Sequence, residues 1–188
     1  MRAAIRLFAG KGYHGVTTRA LAAAAGVSEP ILYRHFPTKR LLYSAIIEYK
    51  ARAGIAELKQ LLQPHAERRD DRGFFAELGR FVLAQYRRDP SYVRLLLYSA
   101  LEGHELARMF YDRQITVYYR EITEYLRQRM ADGAFRRMKP NLAARAFLGM
   151  VNHHALVGLL FRDRLVEDQT EAVIEGFVAV YLGGIEKP

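Results

Sequence analysis

The chain has no cysteine and no tryptophan, six prolines in 188 residues, and no uninterrupted apolar run near the ~18 residues a membrane helix needs. Without cysteine there are no disulfides, no thiol catalysis and no cysteine-bound zinc. Such a composition fits a reducing cytoplasm, which is the expected location, with no membrane partner. The first nine residues carry Arg2 and Arg6, and Arg6 interrupts what would be the apolar core of a leader. No Gly-rich phosphate loop, nucleophile elbow or His-Glu-x-x-His spacing occurs. His153 and His154 are adjacent, so their side chains diverge on a helix. Glu102, His104 and Glu105 fall together at a helix break, where a polar helix end explains them better than a metal would. No catalytic residue, metal or cofactor is expected.

Charge is unevenly shared. Residues 1–48 hold seven basic side chains and two acidic ones, so they carry +5 of the net +9. The remaining 140 residues carry +4, from 22 basic and 18 acidic. A basic quarter of the chain suits a polyanion, although a solvated basic face has the same composition.

The apolar period is helical nearly throughout, and no alternating strand stands out. The pattern predicts helices at 2–10, from Thr17 or Thr18 through TRALAAAA, from Ser28 to Pro37, and from Thr38 to about Leu62, ending before Pro64. A polar loop is expected at 63–72, then helices at about 73–88, 91–102, 105–131, 141–163 and 168–185. The fold class is therefore all-α, about nine helices. The long fourth helix joins a small N-terminal domain, 1–47, to a larger one, 48–188.

The stretch GVSEPILYRHFPTKRLL places a helix of about two turns between Ser28 and Pro37. So short a helix is unstable alone. Yet it presents Tyr33, Arg34 and His35 in a row, with Lys39 and Arg40 just beyond. A slim alanine helix, a Gly26 turn and a short polar helix make a helix-turn-helix, whose second helix lies in the DNA major groove. Ile31, Leu32 and Phe36 are left to pack it on its neighbours.

Phe8, Gly12-Tyr13, Thr17-Thr18, Leu21-Ala22, Ala25-Gly26-Val27-Ser28, Leu32-Tyr33, His35-Phe36, Lys39 and Leu42 give residues 3–47 a pattern that resembles the TetR family of bacterial transcriptional regulators. TTRALAAAAGVSEPILYRH is especially similar to the tetracycline-repressor branch. Family members have several more residues before the first helix, whereas here it begins almost at Met1. The resemblance implies a homodimer on a double-stranded DNA operator, controlled by a small-molecule effector. It places Thr18, Tyr33, His35 and Lys39 at the DNA backbone and Arg19 at a guanine, with Thr38 a further DNA-binding candidate. Glu29, Pro30 and Arg34 are the other exposed candidates for base contact. Five of them have a plainer reading: packing for Tyr33, a solvated charge for Arg34, a half-buried structural ring for His35, a surface lysine for Lys39, and a favourable helix-end charge for Glu29.

Residues 73–136 are rich in Phe and Tyr, most of which suit an ordinary core. The resemblance implies an effector pocket among the helices of 73–163, with Tyr86, Tyr98, Phe110, Tyr118, Phe147 and His154 as candidate lining. It also implies that the last two helices meet their two-fold mate, through Ala146, Gly149, Met150, His153, Phe177, Val180 and Tyr181. The rival reading is a ligand-binding or enzymatic helical bundle whose basic N-terminus docks a protein; duplex binding separates the two.

Overall fold

The computed structural model describes residues 1–103, 105–161 and 170–186, without the side chains of 50, 51, 53, 105, 106, 113 and 114. The described residues are helical, with a lone antiparallel bridge between Phe135 and Glu186. Among the described residues ten α-helices follow in order: α1 Arg2–Lys11, α2 Thr18–Ala25, α3 Glu29–His35, α4 Lys39–Glu67, α5 Asp71–Arg88, α6 Pro90–Leu101, α7 Glu105–Phe110, α8 Thr116–Ala131, α9 Pro140–Phe161 and α10 Thr170–Ile185. The expected ends of these last two helices at 162–163 and 168–169 lie outside the described residues.

The chain divides into two compact units. The first takes residues 1–54 and 89–116, so the expected N-terminal domain is joined there by α6 and α7. Its core is built on Phe8, Leu21, Tyr43, Ile46, Ile47 and Leu95. Phe8 and Tyr13 both meet the Tyr43 ring, at centroid distances of 5.0 and 5.4 Å and steep interplanar angles. The buried Tyr43 hydroxyl donates to the Leu95 carbonyl at 3.2 Å and also meets the Ser99 hydroxyl. Burial pushes its pKa up to about 12. A phenol held neutral this way satisfies its polar tip inside an apolar core.

The second unit, residues 55–88 and 117–188, packs α5 against α9 and α10. Phe75 is its hub, 5.0 Å from Phe147 and 4.8 Å from Tyr181 between ring centroids. Gly79 faces this seam, where a Cβ would make ordinary contacts at 3.5 Å with Ile174 and 3.7 Å with Phe147.

Two helices depart from the predicted boundaries. α4 continues through Pro64 to Glu67. Proline leaves the Gln60 carbonyl without its usual partner, but Gln60 is exposed and water can replace the bond. The helix ends instead at Arg69, whose φ of 55° is left-handed. Arg69 N–H donates to Ala66 and Asp70 N–H to His65, the paired bonds of a Schellman end usually made with glycine. The single helix expected over 105–131 is broken by a π-helical turn at Tyr111–Ile115. One residue too many in a turn leaves no Gly or Pro signal, so periodicity does not reveal it.

Candidate nucleic-acid interface

Local chemistry builds the two-helix motif. Thr17 is extended (φ −91°, ψ 155°) and its hydroxyl accepts from Ala20 N–H, which starts α2. Gly26 ends it at φ 69°, with Gly26 N–H bonded to Ala23 and Val27 N–H to Ala22. A side chain in that left-handed position would be strained, so the glycine fixes the turn. Ser28 occupies the N-cap of α3 in an extended conformation, but its side chain makes no capping bond, contrary to expectation. The Thr38 hydroxyl caps α4, accepting from Leu41 N–H at 3.1 Å.

The predicted contact residues lie on an open surface. Arg19, Pro30, Tyr33, Arg34, His35 and Thr38 are exposed, and Thr18, Glu29 and Lys39 are half-buried. Leu32 and Phe36 pack on the core of this unit, whereas Ile31 stays 41% exposed and is not the packing residue the sequence suggested. The Tyr33 hydroxyl donates to Thr18 Oγ1, and Thr18 donates to Glu29 Oε2, both at 3.1 Å.

Lys39 departs from the simple phosphate contact expected of it. Its ammonium donates to the carbonyls of Tyr13 at 2.8 Å and Val16 at 2.9 Å, and lies 4.3 Å from the Tyr13 ring centroid. Partial burial lowers its pKa, against the opposing pull of Glu102. An ammonium has three donors, so one N–H is left for a phosphate. Lys39 thus ties the α1–α2 connection to the start of α4. Sequence reasoning missed this, because a lysine's carbonyl partners leave no mark in the sequence. Lys39→Ala should therefore lower stability by about 1–3 kcal/mol. It should also weaken all duplexes alike and make the log–log salt slope shallower by about one. Lost stability with an unchanged slope would make Lys39 purely structural.

Glu102 also works locally. A Cβ on Gly12 (φ 70°) would collide with its carboxylate, which lies 3.4 Å from Tyr13 N–H. Of the suggested metal cluster, His104 lies outside the described residues, as does the side chain of Glu105. Among the described residues no group of three or more metal-ligating side chains forms.

The pocket candidates do not gather in one unit. Tyr98 and Phe110 belong to the first; Tyr86, Tyr118, Phe147 and His154 to the second. Tyr98 is 43% exposed, and Phe110 lies against Tyr92. Phe147 is corrected to a core residue, fully buried between Phe75 and Tyr181. Tyr118 lies against Phe81, with ring centroids 6.0 Å apart. Tyr86 donates to Asn152 Oδ1 at 3.2 Å, and burial raises its pKa. His154 packs its ring on Phe177, and its buried Nε2 has no hydrogen-bond partner among the described residues.

The dimer candidates sort more cleanly. Ala146, Gly149 and His153 are exposed on α9, beside Leu142, Leu160 and Phe161. Val180 is 70% exposed on α10, while Met150 and Phe177 are half-buried. Tyr181 is corrected: it is buried, with its hydroxyl donating to the Ala143 carbonyl at 2.9 Å. It holds α9 to α10 within one chain.

Residues 1–46 match the family described as bacterial regulatory proteins, tetR family, and residues 77–184 match the AefR-like transcriptional repressor C-terminal domain. The chain belongs to the TetR family. It is a TetR-family transcriptional regulator, and the rival enzymatic reading falls with that. Nucleoid occlusion factor SlmA of Marinobacter nauticus is 30% identical over 130 residues, 69% of this chain; the chain spans 64% of that protein's length. The fatty acid degradation regulator FadR from Bacillus halodurans has the same fold, with a TM-score of 0.80 at 19% identity, over 97% of this chain and 96% of that one. The flavonoid-responsive regulator FrrA is 27% identical, with a TM-score of 0.70 over 98% and 94% of the two chains. Among the described residues no helix is long and apolar enough to cross a membrane.

Proposed function

We propose that the protein is a homodimeric repressor that leaves a near-palindromic DNA operator when a small-molecule effector binds. The observation that carries the DNA part is the open polar face of α3, where Arg34 and His35 are exposed behind a turn fixed by Gly26. A recognition helix so placed reads base edges with its outer residues. Support for the dimer comes from the apolar stripe on α9, with Leu142 60% and Leu160 51% exposed. Two heads on a two-fold axis read two half-sites about one helical turn of DNA apart, or a multiple of it.

Support for an effector comes from His154. Its buried nitrogen has no partner among the described residues, which is costly, and an incoming polar group would relieve it. Two solved relatives, one a flavonoid-responsive regulator and one a fatty acid degradation regulator, point to aromatic or long apolar effectors carrying few polar groups. Release requires that the effector favour one arrangement of the heads over the other.

The experiment is a competition assay with the DNA upstream of the protein's own gene, against scrambled duplex, over a range of salt. Selective binding that weakens steeply with salt, and falls on adding a flavonoid or fatty acyl compound, is the expected result. Equal binding to scrambled duplex would refute the operator. Within the same assay, Arg19→Ala and Arg34→Ala should each relax preference at one base pair per half-site, by about 1–3 kcal/mol. A uniform loss across sequences would move that arginine to the DNA backbone.

A further inference from the structure

Glu29 is an acid on the face of the motif that meets a polyanion, within a segment of net charge +5. Its carboxylate is not idle. It accepts the Thr18 hydroxyl hydrogen, and Thr18 in turn accepts the Tyr33 hydroxyl hydrogen. A carboxylate has no hydrogen to give, so the direction of this chain is fixed by chemistry. Thr18 has one donor hydrogen, and it is engaged by Glu29; the one on Tyr33 is engaged by Thr18. In the free protein, two hydroxyls on the DNA-facing surface therefore both point inward along the chain that ends at Glu29.

Threonine and tyrosine hydroxyls are common donors to DNA phosphates. If Thr18 turns its hydrogen to a phosphate, Glu29 loses its partner. Glu29 is the first residue of α3, and the N-terminal residues of a recognition helix are the ones that reach base edges. A carboxylate there needs a donor. In the major groove, cytosine offers its N4 amino group, whereas guanine N7 and O6 and thymine O4 are acceptors that repel it. Adenine offers N6 but beside the N7 acceptor, which a carboxylate meets unfavourably.

We propose that Glu29 selects a cytosine in each half-site, exchanging the Thr18 hydroxyl for the cytosine amino group as Thr18 and Tyr33 turn to the DNA backbone. The inference rests on the DNA reading above. Held by Thr18, Glu29 is pre-oriented and its charge is satisfied until the exchange. On a site without cytosine the exchange leaves a carboxylate facing acceptors, so the wrong base is rejected as well as the right one favoured.

The test is a competition assay on the intact protein, with every base of the best operator half-site replaced in turn. The wild type should prefer cytosine over thymine at one position by about tenfold. Glu29→Ala should bring that preference to within about twofold, leaving the other positions unchanged. Glu29→Gln should move the preference toward adenine, whose N6 and N7 suit an amide. Loss of the cytosine preference in both variants sustains the proposal whichever base the glutamine takes. Thr18→Val should weaken all duplexes alike and keep the cytosine preference; losing that preference would overturn the exchange, making Thr18 a permanent support for Glu29. Helicity by circular dichroism confirms that each variant is folded. A selective wild type whose profile is unchanged by Glu29→Ala overturns this inference alone. A wild type that selects no duplex overturns the DNA reading itself.

Discussion

Gly149→Asp is expected to give a folded chain that sediments as a monomer and has lost selective binding to its operator. The first half of that expectation comes from the single chain. Gly149 is exposed on α9, and a Cβ built there meets nothing within 4 Å. Aspartate has slightly better helix propensity than glycine, so α9 itself is not weakened. The second half comes from symmetry. On a two-fold interface a residue near the axis meets its own copy, so one substitution places two carboxylates in a desolvated seam. An uncompensated buried charge costs about 3–5 kcal/mol, and two like charges cost more together than apart. At 1.4 kcal/mol per factor of ten, the dimer would weaken by about a thousandfold or more. A lone reading head contacts too few base pairs to select a site, so operator binding falls although Tyr33, Arg34 and Lys39 are untouched. Sedimentation, circular dichroism and the binding assay on one sample decide it. A stable dimer that still selects its operator would place the interface elsewhere.

The same two helices show where sequence reasoning reaches its limit. Val180 and Tyr181 were both expected on the shared face, and only Val180 lies on an exposed one. They sit about 100° apart on the helix, far enough for one to face the core and the other to face out. The sequence does not say which, because α10 carries Val173, Phe177, Val180 and Tyr181 among alanines and glycines and is apolar nearly all round. Phase is read from the contrast between polar and apolar faces, and here there is none. Phe147 was misplaced for the same reason: a core aromatic and a pocket aromatic have the same neighbours in sequence. The two-helix motif was legible because its signals are local. Thr17, Gly26 and Pro30 each answer to the backbone within a few residues. Partners far along the chain, such as Lys39 on the Tyr13 carbonyl or Glu102 at Gly12, left no such trace.

Arg129→Ala is expected to destabilise the second unit by about 3 kcal/mol, whereas Arg80→Ala should cost under about 1 kcal/mol. The two arginines have nearly the same geometry. Arg129 places Nε and Nη2 each 2.8 Å from the two oxygens of Asp71, and Nη1 3.0 Å from Asp132. Arg80 places Nε 3.1 Å and Nη2 2.8 Å from the carboxylate of Glu171. Exposure separates them. The Arg129 and Asp71 side chains are 12% and 16% exposed, against 41% and 62% for Arg80 and Glu171. Water replaces Arg80 around Glu171 at little cost. Around Asp71 it is largely shut out, and among the described residues the carboxylate would keep only the Tyr125 hydroxyl, at 2.5 Å, of its charged and phenolic partners. Tyr125 cannot swing away to compensate, since its ring stacks on Phe74 with centroids 3.8 Å apart. Burial, then the bond to Asp71, raises its pKa and keeps it a donor. Arg129→Lys should recover only part of the loss, because an ammonium does not match both carboxylate oxygens. The double change Asp71→Leu with Arg129→Met should cost less than Arg129→Ala alone, since it leaves no orphaned charge. Urea unfolding followed by circular dichroism, at one fixed protomer concentration, measures all four. Equal losses for Arg129→Ala and Arg80→Ala would mean that the Asp71 pair is as open to water as the surface one, and that α5 and α8 are held together by their aromatic contacts alone.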